Sequence, residues 1–298
     1  MSGLYGPPGA GKSMLALDWA LSVSTGRPWL DHPVQQGYAL YIAAEGHSGQ
    51  AKRARAWLQK AALTATAVPN FGFVKERIAI TEASEDYDVL FSRLEEEVQR
   101  VPTFVIIDTL ARSIDGDENI SVDMVRFLNA AERWCEEYGA TVLVIHHGNA
   151  AGVRERGHTA FKGTVGALLK LGPVQKHKDI LCLHTDKQRD AIEAPDVGLK
   201  TEVVEGTDSV VLVAADLPDA HERGHGLSPP MRKVDMLTYL GGHPEGLRFD
   251  IWEVGCQVPH TTFVRRVRRL LEEDCIYKKE GRYYASPSTV DVAALSAV

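Results

Sequence analysis

The sequence has 298 residues, of which 44% are hydrophobic and 24% charged, an ordinary composition for a soluble globular protein. No apolar run approaches the length of a membrane span, and the N-terminus lacks the basic and apolar regions of a signal peptide. The four cysteines are scattered without Cys-x-x-Cys pairs, so neither disulfides nor zinc sites are predicted. The length suits one large α/β domain and one small domain, and the scattered cysteines predict a reduced, cytoplasmic setting.

The net charge of −7 is unevenly distributed along the chain. Residues 1–228 hold 23 Lys and Arg against 31 Asp and Glu, whereas residues 229–298 hold 10 against 9. The large part is therefore not a generally basic nucleic-acid binder, and any polyanion has to meet local patches on it.

Residues 6–13 read Gly-Pro-Pro-Gly-Ala-Gly-Lys-Ser and fit the phosphate-binding loop pattern G-x-x-x-x-G-K-[ST] without departure. The glycines let consecutive backbone N–H groups point at one anion, and a helix predicted over residues 13–25 adds a positive dipole end. Lys12 is expected to reach the β- and γ-phosphates, and Ser13 to bind Mg²⁺, so a nucleoside triphosphate and Mg²⁺ are the predicted ligands. The residues expected to contact the nucleotide in this segment are Gly6, Pro7, Pro8, Gly9, Ala10, Gly11, Lys12, Ser13 and Met14.

The next predicted strand, residues 38–43, is followed by Glu45 and by a helix over residues 49–62. A glutamate in this position is able to orient and deprotonate the water that attacks the γ-phosphate. The alternative is a solvated glutamate that caps the following helix.

Residues 104–107 form a strongly apolar predicted strand that ends in Asp108, which is the form of a Walker B element. Carboxylates at the ends of parallel strands lie beside the phosphate loop, so Asp108 is expected to contact the nucleotide site and hold a Mg²⁺-bound water. Small strands over residues 72–74 and 78–80 and a helix over residues 87–100 are predicted before it.

A helix over residues 121–138 leads to a strand over residues 141–145, which ends in His146 and His147. Histidines at a strand end are able to detect the γ-phosphate by hydrogen bonding and to pass its presence to the next loop. One of the pair is expected to do so, with a purely structural histidine as the alternative.

The segment over residues 148–162 is polar, glycine-bearing and basic, which predicts a mobile loop. Its only acidic residue is Glu155, and its cationic residues are Arg154, Arg156, His158 and Lys162. The alternative is a solvated loop without a partner.

Two more strands are predicted, over residues 180–184 and 210–213. The alternation of short apolar runs with helical patterns up to residue 217 predicts an α/β domain with a mostly parallel sheet and crossover helices. Residues 218–230 are rich in Pro, Gly, His and charge, and are predicted to be a linker.

The pattern changes after the linker, where helices are predicted over residues 231–240, 249–255 and 262–274. A hairpin that turns near Glu280 and Gly281 follows. Three helices and a hairpin predict a winged helix-turn-helix domain over residues 231–287, and residues 288–298 are predicted to be a disordered tail.

The third of these helices carries four arginines beside residues predicted to be core: Phe263, Val264, Val267, Leu270 and Leu271. Four arginines on one short helix suit a duplex backbone or groove. Protein contact is the alternative, because Glu272, Glu273 and Asp274 follow at once. The arginines are Arg265, Arg266, Arg268 and Arg269.

Four motifs together resemble the RecA-like P-loop ATPases of the RepA-type replicative helicase family, an AAA_25-like group. They are Gly-Pro-Pro-Gly-Ala-Gly-Lys-Ser, Tyr-Ile-Ala-Ala-Glu-Gly, Val-Ile-Ile-Asp-Thr-Leu-Ala-Arg and Val-Ile-His-His, within a resemblance that covers residues 1–217. It implies that Glu45 is the catalytic carboxylate, Asp108 the Walker B residue, and the His146–His147 pair the link between nucleotide and DNA. In AAA+ proteins a glutamate usually follows the Walker B aspartate, and Thr109 stands there instead.

The resemblance also concerns Lys187 and Arg189, which are similar to the pair that hexameric helicases insert into a neighbour's ATP site. Two surface cations are the alternative. In a ring of this kind the loop over residues 148–162 lines the central channel and tracks single-stranded DNA. The family's small-residue motif after the loop is only loosely matched, and Phe161 is the one aromatic residue available there for base stacking.

The resemblance implies an ATP-dependent DNA motor that acts in DNA replication or recombination, in a bacterial, plasmid or phage context. It also implies a homo-oligomeric ring, for which a hexamer is one of the possible sizes. The competing hypothesis is a non-translocating ATPase, either a recombinase-like protein or loader, or a DNA-binding regulator that uses ATP as a switch.

Overall fold

A computed structural model describes residues 1–44, 47–64, 66, 68–81, 84–94, 96, 100–147, 160–174, 177–191, 194–218, 233–256 and 260–286. The chain divides into two compact units, Met1–Leu227 and Ser228–Val298. The first unit contains β1 (Ser2–Gly6), α1 (Lys12–Thr25), β2 (Tyr38–Ala43), α2 (His47–Lys60), β3 (Phe71–Val74), α3 (Glu85–Arg93), β4 (Pro102–Asp108), α4 (Leu110–Ser113), α5 (Ser121–Tyr138), β5 (Thr141–His147), α6 (Ala160–Thr164), β6 (Ala167–Val174), β7 (His177–Gln188), β8 (Val197–Val203) and β9 (Val210–Ala214). The second contains α7 (Lys233–Gly241), β10 (Leu247–Arg248), α8 (Phe249–Cys256), α9 (His260–Glu272), β11 (Ile276–Lys279) and β12 (Arg282–Ala285).

The strands of the first unit form one sheet in the order β3-β2-β4-β5-β1-β6-β7-β8-β9. Neighbouring strands from β3 to β6 in this order are parallel, and those from β6 to β9 are antiparallel. The unit therefore has a mixed α/β fold with a largely parallel sheet. The phosphate loop leaves β1, which lies between β5 and β6.

Two hydrophobic clusters cover the two faces of this sheet. Leu4, Tyr41 and Ile145 belong to the cluster that contains α1, whereas Tyr5 and Val144 belong to the cluster that contains α3 and α5. Since successive side chains of a strand point to opposite faces, the odd and even positions of each strand meet different helices. This alternation decides which polar residues at the strand ends face the phosphate loop.

The antiparallel end of the sheet packs against α2. Ala56 of α2 forms a small buried cluster with Val204 and Val211. Lys60 of α2 is 2.5 Å from Glu202, but this ion pair is exposed and contributes little stability. The packing brings the start of β9 beside the helix that follows the Glu45 segment.

Several predicted boundaries differ from the observed ones. The small strand predicted over residues 78–80 is wrong, because Ile78 and Ile80 are buried in an irregular segment, where Ile80 N donates to the carbonyl of Ser113 at 2.7 Å. The helix predicted over residues 87–100 begins earlier, at Glu85, and its regular part ends at Arg93. Strands β6 and β8 were missed, and the strand predicted over residues 180–184 is longer, running from His177 to Gln188.

None of the helices in the described part of the chain is both long and apolar enough to cross a membrane.

The second unit combines three helices with a three-stranded antiparallel sheet in the order β10-β12-β11. The predicted hairpin is confirmed: Glu280 and Gly281 turn between β11 and β12 with φ of 49° and 77°. Positive φ at both central residues is the pattern of a tight hairpin turn that matches the strand twist. Trp252 and Phe263 lie in the core, with ring centroids 5.2 Å apart. Strand β10 was not predicted.

Candidate nucleotide site

The phosphate loop joins the end of β1 to the start of α1. A Cβ at Gly6 would lie 1.9 Å from the carbonyl oxygen of Leu171, so only glycine allows β1 and β6 to approach this closely. Gly11 precedes α1 with φ of 86°, a left-handed conformation that also favours glycine. The loop thus presents the N-terminus of α1, with its backbone N–H groups, as an anion site.

Lys12 is buried at the base of this loop, with 5% of its surface exposed. Its ammonium donates to the carbonyl oxygens of Gly6 at 3.0 Å and Pro7 at 2.9 Å. Neutral carbonyls are weaker partners for an ammonium group than phosphate oxygens are. The side chain is therefore held where a bound polyphosphate would compete for it.

Asp108 is buried at the carboxyl end of β4, with 1% of its surface exposed. The Tyr41 hydroxyl donates to Asp108 Oδ2 at 2.6 Å, and Gln50 Nε2 donates to the Tyr41 hydroxyl oxygen at 3.2 Å. Burial, with the nearby Asp108 charge as a second cause, raises the pKa of Tyr41 well above its usual range, so the hydroxyl keeps its proton and remains a donor. Sequence reasoning missed Tyr41 and Gln50.

A cavity of about 730 Å³ opens beside the loop. Of the predicted nucleotide contacts it is lined by Gly9, Gly11, Lys12, Ser13 and Met14, while Gly6, Pro7, Pro8 and Ala10 lie in the same loop without lining it. Residues from other segments also line it: Ala44, Gln50, Arg53, Thr109, Arg112, His147 and Val210. Two of these, Arg53 and Arg112, add positive charge that sequence reasoning did not assign to the site.

Asp108 does not line the cavity, but residues next to it do. Thr109 follows it in the chain and lines the cavity, as does Gln50, which is linked to Asp108 through Tyr41. The Tyr41 hydroxyl is also 3.3 Å from the backbone oxygen of Ser13. The carboxylate and the Ser13 residue are thus parts of one connected polar cluster.

The two predicted histidines point to opposite faces of the sheet. His147 lines the cavity, on the face of α1. His146 is fully buried on the other face, with its ring 5.4 Å from that of Phe161 and its Nδ1 3.9 Å from a carboxylate oxygen of Glu118. Only His147 is therefore placed to meet a nucleotide.

Glu45 lies outside the described residues, but the chain on both sides of it borders the cavity. Ala44 lines the cavity, and its N–H donates to the backbone oxygen of Asp108 at 2.7 Å. Helix α2 begins two residues after Glu45, and its residue Gln50 lines the cavity as well.

The AAA_25 family model, described as an AAA domain, matches residues 1–153, which is just over half of the chain. The chain belongs to the AAA_25 family. The matched region includes the phosphate loop, Tyr41, Asp108 and both histidines. The chain accordingly contains an AAA domain that carries the phosphate-binding loop of a P-loop ATPase.

One solved structure, titled "Crystal structure of the RadB recombinase", is similar to the chain at 16% sequence identity with a TM-score of 0.48. The similarity covers 67% of this chain and 86% of that chain. No curated protein matches the chain.

In this AAA_25 protein the two residues predicted to act in a neighbour's site lie at the opposite edge of the sheet from the phosphate loop. The phosphate loop leaves the carboxyl end of β1. Gln188, at the end of the antiparallel strand β7, pairs with Ala167 of β6, and Ala167 pairs with Ser2 of β1. The end of β7 therefore lies beside the start of β1. The length of β1 alone separates the two edges by roughly 13–17 Å. Neither Lys187 nor Arg189 is placed to reach the phosphate loop of its own chain.

Both cations instead donate to carbonyl oxygens at the end of α6. Lys187 Nζ donates to the carbonyls of Lys162 and Val165, each at 2.6 Å, and Arg189 Nη2 donates to that of Gly163 at 2.8 Å. Helix ends leave such carbonyls without partners inside the helix, so the two cations cap α6. Desolvation, followed by the charges of Arg189 and Lys162, lowers the pKa of Lys187.

The predicted DNA-contacting loop lies largely outside the described residues, and with it Arg154, Arg156 and His158. Lys162 belongs to α6 rather than to a loop, and its ammonium donates to Asp186 Oδ2 at 2.7 Å. The interpretation of Phe161 as an available base-stacking residue is wrong, because its side chain is fully buried.

Helix α9 of the second unit carries the predicted arginine cluster. Arg268 and Arg269 are exposed, and Arg269 Nε donates to Glu273 Oε1 at 2.9 Å. Arg266 is partly buried, while the side chain of Arg265 lies outside the described structure. Leu271, predicted as core, is 37% exposed. Arg268 and Arg269 therefore face solvent, beside the exposed acidic residues Glu272, Glu273 and Asp274.

Proposed function

We propose that the protein is an ATP-dependent DNA motor of the RepA-type helicase class that acts in DNA replication or recombination. The observation that carries this proposal is the division of charged groups between two edges of one sheet. Lys12 and Asp108 are at the carboxyl edge with the cavity, and Lys187 and Arg189 are at the other edge. Only a second copy of the chain could bring the two sets together.

The residues at the carboxyl edge suit Mg²⁺ as well as ATP. The Ser13 hydroxyl and the Asp108 carboxylate are oxygen donors, and Mg²⁺ binds to few protein oxygens together with waters and substrate phosphates. When bound, the ion would neutralise charge on the transferred phosphoryl group. Lys12 and Ser13 would hold the phosphates and the metal, while Asp108 would orient a water on the metal.

Hydrolysis requires a base, and Glu45 is the residue we assign to it. Its neighbours Ala44 and Gln50 line the cavity, so the segment borders the place where the γ-phosphate is expected. Glu45 would accept the proton of the attacking water. His147, which lines the same cavity, would detect the γ-phosphate, whereas His146 would transmit the change to the face of α6.

Completion of the site is assigned to a neighbouring copy in a ring, which we propose to be a hexamer. Lys187 and Arg189 would leave the carbonyls of α6 and donate to the phosphates of the neighbour. An arginine finger stabilises charge on the transferring phosphoryl group and makes hydrolysis depend on assembly.

Two groups of cations are assigned to DNA. Arg154, Arg156 and Lys162 would track the backbone of a single strand in the channel. The order of helices and strands in the second unit supports a winged helix, and its helix α9 would contact duplex DNA through the exposed arginines.

A second candidate function is a non-translocating ATPase, either a recombinase-like protein or loader, or an ATP-switched DNA-binding regulator. It is favoured by the ion pair between Lys162 and Asp186 and by the burial of Phe161. The described part of the predicted channel segment therefore offers DNA neither an exposed aromatic ring nor a lysine without an acidic partner.

The test is an ATPase assay with and without single-stranded DNA, combined with native mass determination and a strand-displacement assay. We expect ATP hydrolysis stimulated by single strands, an oligomer, and unwinding with one polarity. Stimulated hydrolysis without unwinding would favour the second candidate. Absence of ATP hydrolysis in the assembled protein would contradict both.

A further inference from the structure

Three buried polar side chains connect three elements of the nucleotide site. Tyr41 of β2 is fully buried, Asp108 of β4 is 1% exposed, and Gln50 of α2 is 3% exposed. The hydroxyl of Tyr41 lies 2.6 Å from Asp108 Oδ2 and 3.2 Å from Gln50 Nε2. Buried polar groups that bond to one another in this way fix each other's orientation.

The direction of each hydrogen bond follows from the chemistry of the groups. The tyrosine has one hydroxyl proton, and the ionised carboxylate only accepts, so the proton belongs to the short contact with Asp108. The contact of the hydroxyl with the backbone oxygen of Ser13 is longer, at 3.3 Å. The Tyr41 oxygen therefore accepts from Gln50, which requires the amide nitrogen of Gln50 to face it.

This arrangement sets the orientation of the Gln50 amide. Its Oε1 is buried, with no hydrogen-bond partner among the described residues. A flipped amide would place that oxygen against the tyrosine oxygen, where neither group could donate, because the tyrosine proton is already used. Tyr41 thus sets the orientation of the Gln50 amide, and Gln50 in turn holds the Tyr41 hydroxyl in place.

We propose that Tyr41 and Gln50 are positioning residues of the metal site, with Tyr41 orienting the Asp108 carboxylate and Gln50 holding Tyr41. The inference rests on the proposed function, since it assigns Asp108 to Mg²⁺ with bound nucleotide. Groups that hydrogen-bond to a metal-serving carboxylate fix its direction, and their removal typically weakens metal affinity 10- to 100-fold. Gln50 also ties α2, the helix that follows Glu45, to the same carboxylate.

The experiment measures binding of a fluorescent, non-hydrolysable ATP analogue to the full-length protein, once with Mg²⁺ and once with excess EDTA. The variants are Tyr41→Phe, Gln50→Leu and the control Tyr38→Phe. Tyr38 lies on the same strand and packs in the cluster of the opposite face, so its variant also removes one hydroxyl from β2.

We expect Mg²⁺ to tighten binding to the parent protein and to Tyr38→Phe equally. For Tyr41→Phe this Mg²⁺-dependent gain should fall by about tenfold, while affinity in EDTA stays unchanged. Gln50→Leu should change the gain in the same direction by roughly two- to threefold, since it acts on Asp108 only through Tyr41.

Three results would overturn the inference. An unchanged Mg²⁺ gain in Tyr41→Phe would do so while leaving the proposed function intact. An equal loss with Mg²⁺ and with EDTA would show a general effect on the pocket or a direct nucleotide contact instead of positioning. A parent protein without Mg²⁺-dependent binding would overturn the proposed function as well. If Tyr41→Phe does not fold, Gln50→Leu decides by the same criteria.

Discussion

The cations at the two ends of the parallel strands are held in different ways. We call the end that carries the phosphate loop the carboxyl edge, and the opposite end, where Lys187 and Arg189 lie, the amino edge. At the carboxyl edge Lys12 is buried within the phosphate loop. At the amino edge Lys187 is partly buried, Arg189 is exposed, and both donate to the carbonyls that end α6. Burial of a charge is costly unless the group has partners, whereas an exposed cation exchanges one partner for another at small cost.

The difference indicates two kinds of site. At the carboxyl edge Lys12 and the Tyr41–Asp108 pair are buried and held by hydrogen bonds within the chain. The amino edge holds Lys187 and Arg189 in contacts that another acceptor could replace. Binding of nucleotide should therefore depend on the first edge alone, and hydrolysis on both.

The largest effect is expected for Lys12→Ala. The variant removes the buried ammonium that would bind the β- and γ-phosphates, and loss of about two charge-assisted hydrogen bonds corresponds to roughly 10²- to 10⁴-fold weaker ATP binding. Equilibrium binding of a fluorescent ATP analogue measures it. The matched control is Lys178→Met, an exposed lysine of β7, and near-normal affinity in Lys12→Ala would break the assignment of the carboxyl edge.

Next in size is the effect of Arg189→Ala. If Arg189 acts as a finger in a neighbour's site, ATP binding should stay nearly normal while hydrolysis falls by about 10³-fold. Glu45→Gln should likewise bind ATP and lose hydrolysis, because an amide cannot accept the proton of the attacking water.

Mixing these two variants tests whether Arg189 acts between subunits. Some interfaces of a mixed assembly pair the intact Glu45 of one variant with the intact Arg189 of the other, and these should recover activity that neither variant shows alone. The measurement is ATP turnover after co-assembly proven by native mass. No recovery despite proven co-assembly would mean that Arg189 does not act in a neighbour's site.

The sequence was most informative where the structure is local. Lys12, Ser13 and Asp108 were predicted because a loop between a strand and a helix, and a carboxylate at a strand end, depend on a few neighbouring residues. Tyr41 was missed because its contact with Asp108 depends on β2 lying beside β4, a pairing between distant segments. Gln50 was missed for the same reason.

The amino edge could not be predicted because it depends on strand direction. A wholly parallel sheet would place Arg189, which follows β7, at the same edge as the phosphate loop. The antiparallel pairing of β6 with β7 reverses this, and that pairing was not evident from short apolar runs. The histidines were predicted as a pair, and only the alternation of β5 assigns His147 to the cavity.

A smaller effect is expected on DNA binding. Neutralising Arg154, Arg156 and Lys162 together should weaken single-strand binding and lower the slope of log affinity against log salt by roughly 2, since each lost phosphate contact removes about 0.7. Binding to single and double strands at several salt concentrations measures it.

The matched variant neutralises the arginines of α9, Arg265, Arg266, Arg268 and Arg269, and should affect duplex binding more than single-strand binding. Equal losses on both substrates from either set would contradict the assignment of separate roles to the two units.

The smallest expected effect is the loss of stability when the cap of α6 is removed, which tests whether the amino edge has a structural role. Lys187→Met removes an ammonium that donates to the carbonyls of Lys162 and Val165, so the free energy of unfolding should fall by about 1 kcal/mol. Urea unfolding without nucleotide measures the change. Lys178→Met, on the same strand but exposed, should leave the midpoint unchanged.

Arg189→Ala is expected to destabilise the fold less than Lys187→Met, because Arg189 is exposed and water can replace it at the carbonyls. A residue whose substitution lowers ATP hydrolysis strongly and the free energy of unfolding only slightly acts in another subunit. A residue whose substitution lowers the free energy of unfolding alone stabilises its own helix. If Arg189→Ala unfolded at markedly lower urea than Lys187→Met, the amino edge would be a structural cap, and its loss of turnover would follow from a weakened fold.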